Sequence, residues 1–197
     1  QAGAAPSPIT HHPSSITHHP SPTTHSWQAL DADTIAKLPK AELPADTETR
    51  PAFVKGVTYK VCLVQLSVGN TGYLFRLNLM NGIPDCLKNL LEDKDVIKVG
   101  LSTHDDFQNL HKWDADLTPR GFIELQLLVK GYGIEEMSLS KIYALLFKKR
   151  ISKRQRLTNW EAPSLTDKQL SYAAFDAVAC VEIYTELTRM GQQIINQ

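Results

Sequence analysis

The chain has 197 residues, enough for one domain with a buried core. Its 21 basic residues equal its 21 acidic residues, so net charge gives no argument for or against a nucleic-acid partner. Cys62, Cys86 and Cys180 show no CxxC spacing, which argues against a disulfide framework or a cysteine zinc site. With no apolar run of membrane-spanning or signal-peptide length in the sequence, we expect an intracellular, cytoplasmic protein.

Residues 1–26 form a low-complexity segment in which PITHHPS and SITHHPS repeat. Such a composition buries too little apolar surface to order itself, so we expect a disordered tail. Its histidines could instead bind a transition metal. Residues 27–44 are expected to be a lead-in with one short helix, Trp27–Leu38, and residues 45–197 to form the folded domain.

The rest of the chain predicts strands first, and then strands alternating with helices. The β-rich runs Tyr59–Val68 and Gly72–Leu77 predict two strands joined by a turn at Gly69 and Asn70. Apolar runs and helical spacing then predict the helix Ile83–Glu92, the strand Val96–Leu101 and the helix His104–Trp113. A short strand, Phe122-Ile123, leads into a helix that runs towards Lys130, and Ser138 caps a further helix. This order predicts an α/β fold with a mixed sheet flanked by helices.

Asp46 and Glu48 form a D-x-E pair just after Pro44, a residue that is poorly tolerated in a central strand. In an extended segment, residues i and i+2 point to the same face. Two adjacent carboxylates repel each other unless a cation lies between them, and Mg²⁺ or Mn²⁺ prefers such oxygen ligands. For an isolated pair, a solvated acidic loop is the alternative interpretation.

The segment Thr166–Leu187 predicts a helix that begins with a capping box between Thr166 and Gln169. Tyr172 and Asp176 are four residues apart and share one helix face, so a phenol and a carboxylate can act at one site. Taken alone, Asp176 could equally be a hydrogen-bonded polar group of the core.

Asp105 and Asp106 follow the predicted strand Val96–Leu101 and open the next helix, where Asp is also an ordinary capping residue. Together with the D-x-E pair and Asp176, they supply acids that one sheet edge can gather. Four such carboxylates could hold two divalent cations about 4 Å apart, the arrangement that supports in-line phosphoryl displacement. Tyr172 would then orient the attacking water.

These motifs, in this order, resemble the DEDD superfamily of 3′–5′ exonucleases, in the tyrosine-containing subclass that includes ribonuclease D and the Werner syndrome exonuclease. The resemblance extends from Asp46 to about Met190. D-x-E matches the first motif, VGLSTHDDFQNL the second and Tyr172 with Asp176 the third; the spacing to Leu110 selects Asp106 over Asp105. The long stretch from Leu139 into the third motif is the most specific part of the match.

The resemblance implies a ribonuclease H-like fold and a metal-dependent 3′–5′ exonuclease that releases nucleoside 5′-monophosphates, using two Mg²⁺ or Mn²⁺ ions and no organic cofactor. It implies that Asp46, Glu48, Asp106 and Asp176 bind the metals and that Tyr172 is catalytic beside them. The expected partner is single-stranded RNA or DNA, or a 3′ end of either. No interaction with a membrane is expected.

The segment Lys148–Arg156 carries six basic residues and no acid, so it could grip phosphates or be a solvated loop. The expected nucleic-acid contacts are Thr47, Lys149, Arg150, Lys153 and Arg156. Trp160 could stack on a base or, as we favour, anchor its loop to the core. Glu124 is expected to lie near the site without a direct role.

Two other functions use the same residues. One is a catalytically weak nuclease-like module that binds nucleic acid or a protein. The other is a small-molecule phosphodiesterase, which would cleave mononucleotide esters without using the basic segment.

Overall fold

The computed structural model of the chain describes residues 23–25, 42–68 and 71–195. The predicted helix Trp27–Leu38, the turn at Gly69 and Asn70 and most of the predicted tail lie outside these residues. Residues Thr23–His25, which the sequence places at the end of that tail, form strand β1 and pair in parallel with another strand of the sheet. Pairing with an exposed sheet edge orders a backbone whose own side chains predict no strand.

Five further strands are β2 Leu43–Thr49, β3 Val61–Val68, β4 Thr71–Phe75, β5 Lys98–Gly100 and β6 Phe122–Glu124. Within the described residues, the six strands form one sheet in the order β1-β4-β3-β2-β5-β6. Strand pairs β2/β3 and β3/β4 are antiparallel, whereas β1/β4, β2/β5 and β5/β6 are parallel. The sheet is therefore mixed, as the sequence predicted.

Strand β2 is an interior strand, although its second residue is Pro44 and proline is poorly tolerated in a central strand. The Leu43 N–H donates to Ile97 O at 2.8 Å, towards β5. Because successive N–H groups point to opposite sides of a strand, the position of Pro44 faces β3, and the ladder with β3 begins only at Ala45. The missing donor of proline therefore breaks no hydrogen bond of the ladder.

Helices cover both faces of the sheet. They are α1 Leu77–Met80, α2 Asp85–Glu92, α3 Thr103–Leu110, α4 Leu125–Gly131, α5 Leu139–Phe147 and α6 Asp167–Ile195. One layer contains α2 and α3, whose Leu87 and Leu110 pack with Leu66 of β3. The other contains α4, α5 and α6, which pack around Val99 of β5. In the described part of the chain, no helix has the length and apolar character needed to cross a membrane.

Helix α6 begins with the predicted capping box. Thr166 N donates to Gln169 Oε1 at 3.1 Å, and Gln169 N donates to Thr166 Oγ1 at 3.3 Å. The helix then packs across β2, β3, β4 and β5. It approaches the sheet so closely at Gly72 that a Cβ atom there would lie 3.0 Å from Ala174 Cβ. This close approach brings the residues of α6 that follow Gln169 down onto the middle of the sheet.

Candidate active site

Three carboxylates from two elements meet on the α6 side of the sheet. Asp46 and Glu48 lie two residues apart in β2 and therefore point to the same face, towards α6. Asp176 is on the facing side of α6, and one oxygen atom from each of the three carboxylates lies within 4.8 Å of the other two. Glu48 and Asp176 are almost fully buried, and Asp46 is half-buried.

These carboxylates line a cleft of about 320 Å³ where β2 and β5 end. The cleft has an acidic side, an apolar side formed by Leu101, Met137, Leu139 and Ile151, and a basic contribution from Lys153 and Arg156. Tyr172 lines it one helical turn before Asp176. The five residues predicted to be catalytic all lie in this one cleft; they are Asp46, Glu48, Asp106, Tyr172 and Asp176.

Asp106 reaches the cleft from the opposite layer. It lies in the first turn of α3, and its Oδ1 accepts a 2.5 Å hydrogen bond from Thr47 Oγ1. Thr47 alternates with Asp46 and Glu48 along β2, so its side chain points to the α3 side. Asp105, the neighbouring candidate, is exposed and does not line the cleft. The sequence predicted the choice of Asp106 but not its contact with Thr47.

Gln65 is a site residue that sequence reasoning missed. It is fully buried, and its Nε2 donates to Asp46 Oδ2 at 3.0 Å. The other oxygen of Asp46, Oδ1, accepts from the N–H of Thr47 at 2.9 Å. Gln65 lies directly opposite Asp46 across the β2/β3 ladder, so a correct register would have been enough to find it. The two hydrogen bonds fix the orientation of the Asp46 carboxylate.

Glu124 holds the start of α3, the helix that carries Asp106. Its oxygens accept from Ser102 N at 3.1 Å, Thr103 N at 2.7 Å and Thr103 Oγ1 at 2.8 Å. Ser102 has a left-handed backbone with φ 64°, and the carboxylate stabilises this unusual turn. Glu124 also accepts from Gln126 N at 2.9 Å as the N-cap of α4. One carboxylate therefore positions the N-termini of two helices.

The pKa of each of the four carboxyl groups in the cleft is raised. Burial is the main cause for all four, and it raises the pKa of Glu48 to about 9, of Asp106 to about 8 and of Asp176 to about 7. The negative charge of Asp46 adds to each of these shifts. Hydrogen bonds from Thr47 and Gln65 oppose the shift at Asp46, whose pKa rises to about 6.

Tyr172 is kept protonated by its surroundings. Burial, and then the charge of Asp176 and a hydrogen bond to it, raise the pKa of the Tyr172 hydroxyl well above its ordinary value. The phenol is therefore a hydrogen-bond donor at neutral pH and not a base. Its ring lies 6.1 Å from the ring of Trp160, centroid to centroid.

Trp160 anchors its loop to the core, which confirms the interpretation favoured from the sequence. The side chain is fully buried among Cys62, Leu63, Leu74 and Ala173, so it is not available to stack on a base. The loop is also held by the buried Arg76, whose guanidinium donates to the carbonyls of Trp160, Ala162 and Pro163. Together, the tryptophan and the guanidinium fix the approach to α6.

The acidic cluster has the ligand atoms and the charge that suit a divalent cation. Three carboxylates within 4.8 Å of one another repel, and the charge of Asp46 contributes, after burial, to the raised pKa of Glu48 and of Asp176. A hard cation removes the repulsion, and the donor set is all oxygen, as Mg²⁺ and Mn²⁺ require. Asp106 lies in the same cleft, outside this group of three, and offers a fourth carboxylate.

Basic residues reach the cleft from the segment before α6. Lys153 and Arg156 line it, and their charges lower the pKa of Asp176 against the larger effect of burial. Lys149 and Arg150 lie earlier in the same segment and are not among the residues that line the cleft. The structure therefore brings two of the four predicted basic contacts to the carboxylates.

The chain is similar to proteins of one enzyme class. A family model described as 3′–5′ exonuclease matches residues 26–192. Exonuclease 3′–5′ domain-containing protein 2 of Drosophila melanogaster is 39% identical over 140 residues, covering 69% of this chain and 24% of that protein. A 3′–5′ exonuclease of Arabidopsis thaliana is 35% identical over 148 residues, covering 72% of this chain and 51% of that protein.

The fold is similar to that of a solved exonuclease domain. The Nibbler EXO domain of Aedes aegypti superimposes with a TM-score of 0.70 at 21% identity, covering 82% of this chain and 84% of that one. The chain spans about a quarter and about half of the length of the two curated relatives. The mixed sheet with helices on both faces is thus the predicted ribonuclease H-like fold, and the chain belongs to the 3′–5′ exonuclease family of the DEDD superfamily, a family of hydrolases.

Proposed function

We propose that this chain removes nucleotides from the 3′ end of a nucleic-acid strand by hydrolysing the terminal phosphodiester bond, releasing nucleoside 5′-monophosphates. The observation that carries the proposal is the placement of four carboxylates and Tyr172 in one cleft with two basic side chains. Asp46, Glu48, Asp106 and Asp176 would hold two Mg²⁺ or Mn²⁺ ions. When bound, these ions supply Lewis-acid activation of water and neutralise charge on the leaving oxygen.

The side chains around the carboxylates have separate tasks in this proposal. Tyr172, kept protonated and hydrogen-bonded to Asp176, orients the attacking water by accepting a hydrogen bond from it at the phenol oxygen. Lys153 and Arg156 neutralise phosphates of the bound strand. Thr47 and Gln65 hold Asp106 and Asp46 in place through their hydrogen bonds.

The cleft also offers a surface for the terminal base. Leu101, Met137, Leu139 and Ile151 line it together with the hydroxyl-bearing side chains of Ser102, Ser138 and Ser140. A terminal base packed against the apolar side chains would be held by its face, which every nucleobase has. The proposal is therefore a single-strand exonuclease.

Two further expectations accompany this function. Cys62 and Cys180 are buried thiols, as is usual for cysteines of proteins in a reducing, intracellular compartment. The catalytic domain begins before the predicted boundary at residue 45 in this proposal, because β2 starts at Leu43 and the family match starts at residue 26.

The test is digestion of 5′-labelled single-stranded RNA and DNA with Mg²⁺ or Mn²⁺, with EDTA and Asp176→Asn as controls. A ladder that shortens from the 3′ end and disappears in both controls supports the proposal and identifies the sugar preference. Strand binding without cleavage, unchanged by Asp106→Ala, would contradict it and favour a binding module. Cleavage of mononucleotide esters but not of strands would favour a small-molecule phosphodiesterase.

A further inference from the structure

The loop that joins β2 to β3, residues 50–60, presents apolar and basic side chains to solvent that the proposed chemistry does not use. We call it the β2–β3 loop. Phe53 is 80% exposed, the largest value among the large apolar side chains of the described residues, and the adjacent Val54 is 66% exposed. Lys55 is exposed beside them. No acidic residue occurs in the sequence between Glu48 and Asp85, so nothing in the loop offsets its positive charge.

The loop leaves the sheet at the edge that carries the cleft. Strands β2 and β5 are parallel, so their carboxyl ends lie at the same edge, and the loop begins two residues after Glu48. The cleft is lined there by Asp46 and Glu48 of β2 and by Leu101 and Ser102, which follow β5. The loop therefore borders the entrance to the cleft on the Glu48 side.

The base of the loop is fixed against the same segment that carries the basic residues of the cleft. Arg50 Nη1 lies 3.2 Å from Glu161 Oε2, and its guanidinium lies 4.8 Å from the centre of the Tyr59 ring. Glu161 follows Trp160, whose ring packs near Tyr172. These contacts hold the two ends of the loop together beside the cleft, while Phe53 and Lys55 at its tip stay exposed.

Charge decides which partner this surface fits. An exposed aromatic ring between basic side chains can stack on a nucleobase while an ammonium group neutralises the adjoining phosphate. A surface for an acidic protein would share the charge, but the cleft beside it already has a nucleic-acid strand as its proposed occupant. The part of a nucleic-acid strand that lies outside the cleft has to pass over one border of the cleft. The border formed by the β2–β3 loop carries basic and aromatic side chains.

We propose that the β2–β3 loop is a second nucleic-acid contact outside the cleft, in which Phe53 stacks on a base upstream of the 3′-terminal nucleotide and Lys55 pairs with a backbone phosphate. This inference rests on the proposed exonuclease function and extends it to the substrate's length. The cleft alone handles the terminal nucleotides, and the loop adds affinity only for strands long enough to reach it.

The test compares Phe53→Ala/Lys55→Ala with wild type on two substrates, a dinucleotide and a strand of about 12 nucleotides, which is within the usual range for a single-strand site. Strand affinity is measured by fluorescence anisotropy in the Asp176→Asn background, and hydrolysis in the active background. We expect strand affinity to fall about tenfold, the usual effect of losing one stacked base and one phosphate contact, with dinucleotide hydrolysis unchanged. Phe53→Trp should retain the affinity.

A matched control is Lys94→Ala/Ile97→Ala, which removes an exposed lysine and an exposed apolar side chain before the amino end of β5, at the other edge of the sheet. This variant should leave both measurements unchanged. Strand affinity that is unchanged in the loop variant, or dinucleotide hydrolysis that falls in parallel, would overturn the inference. Failure of the wild type to cleave any strand would instead overturn the proposed function, while the anisotropy comparison would still report on the loop.

Discussion

Thr47 Oγ1 donates a 2.5 Å hydrogen bond to Asp106 Oδ1, joining the middle residue of the D-x-E pair to a carboxylate 59 residues further along the chain. The contact is made on the α3 side of the sheet, because Thr47 points to that side while its neighbours Asp46 and Glu48 point to α6. The three residues of the D-x-E motif therefore all contribute to the site: Asp46 and Glu48 as carboxylates, and Thr47 by holding the carboxylate of Asp106.

Replacing Thr47 with Val, which has nearly the same shape, should remove this support and leave the fold intact. We expect turnover on a 3′ end to fall about 10- to 100-fold, the usual effect of losing a side chain that orients a metal ligand. The loss should be partly recovered at high Mn²⁺ concentration. Thr47→Ser, which keeps the hydroxyl, is the control; equal losses in both variants would argue against a role for the hydrogen bond.

The stability of the metal-free protein should fall as pH rises. Glu48 has a folded-state pKa of about 9 against an ordinary value near 4.5, so between these values the folded state holds a proton that the unfolded chain releases. The free energy of unfolding in EDTA should therefore decrease from about pH 5 to pH 8. Above pH 8 the buried Lys98, with its pKa lowered to about 8, works in the opposite direction.

Glu48→Gln should flatten this pH dependence, because the amide carries no charge to bury. Urea unfolding in EDTA should show it to be more stable than wild type by on the order of 2 kcal/mol at pH 8, with little difference at pH 4. The same variant should be inactive. Glu135→Gln, at an exposed position, should reproduce the wild-type curve; a flattened curve there too would assign the effect to net charge.

Divalent cations should stabilise the fold by relieving the repulsion among Asp46, Glu48 and Asp176. A cation at about 100 times its dissociation constant should add about 2.7 kcal/mol to the free energy of unfolding. Thermal melts with Mn²⁺ against EDTA measure this increase. Asp176→Asn should raise the melting temperature without metal and reduce the further gain with it; an undiminished gain would place the cation elsewhere.

Lys153→Ala/Arg156→Ala should weaken strand binding and its dependence on salt. Each lost phosphate contact should reduce the slope of log affinity against log salt concentration by about 0.7 on a single strand. The variant should also raise the pKa of Asp176, which both charges now lower. Arg154, an exposed neighbour that does not line the cleft, provides the control substitution to Ala; equal effects there would indicate a diffuse rather than a located contact.

Glu124→Ala should lower both stability and turnover. The carboxylate accepts four hydrogen bonds at the starts of α3 and α4, so its loss should cost about 1–3 kcal/mol. Turnover should fall because Asp106 is carried by α3. Glu92→Ala removes a carboxylate that accepts one backbone N–H, from Thr118 at 2.8 Å, and that does not line the cleft. If Glu92→Ala reduces turnover equally, Asp106 is not held through Glu124.

Local patterns predicted the parts of the fold that local physics determines. The capping box of Thr166 and Gln169 started α6 where expected, and the i, i+4 spacing placed Tyr172 and Asp176 on one face. The predicted strands and helices between Tyr59 and Phe147 lie within a few residues of their positions in the structure, whereas α6 continues to Ile195, beyond the predicted end at Leu187. The short helix Leu77–Met80 was missed because its residues continue the apolar pattern of β4.

Contacts between distant segments could not be predicted in the same way. The interior position of β2 follows from which strands pair with it, and only the absence of a β3 partner at Pro44 makes the proline acceptable there. Gln65 holds Asp46 and Thr47 holds Asp106 by hydrogen bonds. The first depends on the register of β2 and β3 and the second on a contact between β2 and α3, and neither can be read from the sequence. Lys149 and Arg150 differ from Lys153 and Arg156 only in where the backbone carries them.

Arg76 has a consequence for how this molecule opens. Its buried guanidinium, just after β4, donates hydrogen bonds to the carbonyls of Trp160, Ala162 and Pro163. That segment cannot separate from the sheet without leaving a cation and three acceptors unsatisfied in the core. Amide hydrogens of this segment and of the first turns of α6 should therefore exchange with solvent together, as one cooperative unit, and only when the sheet itself unfolds.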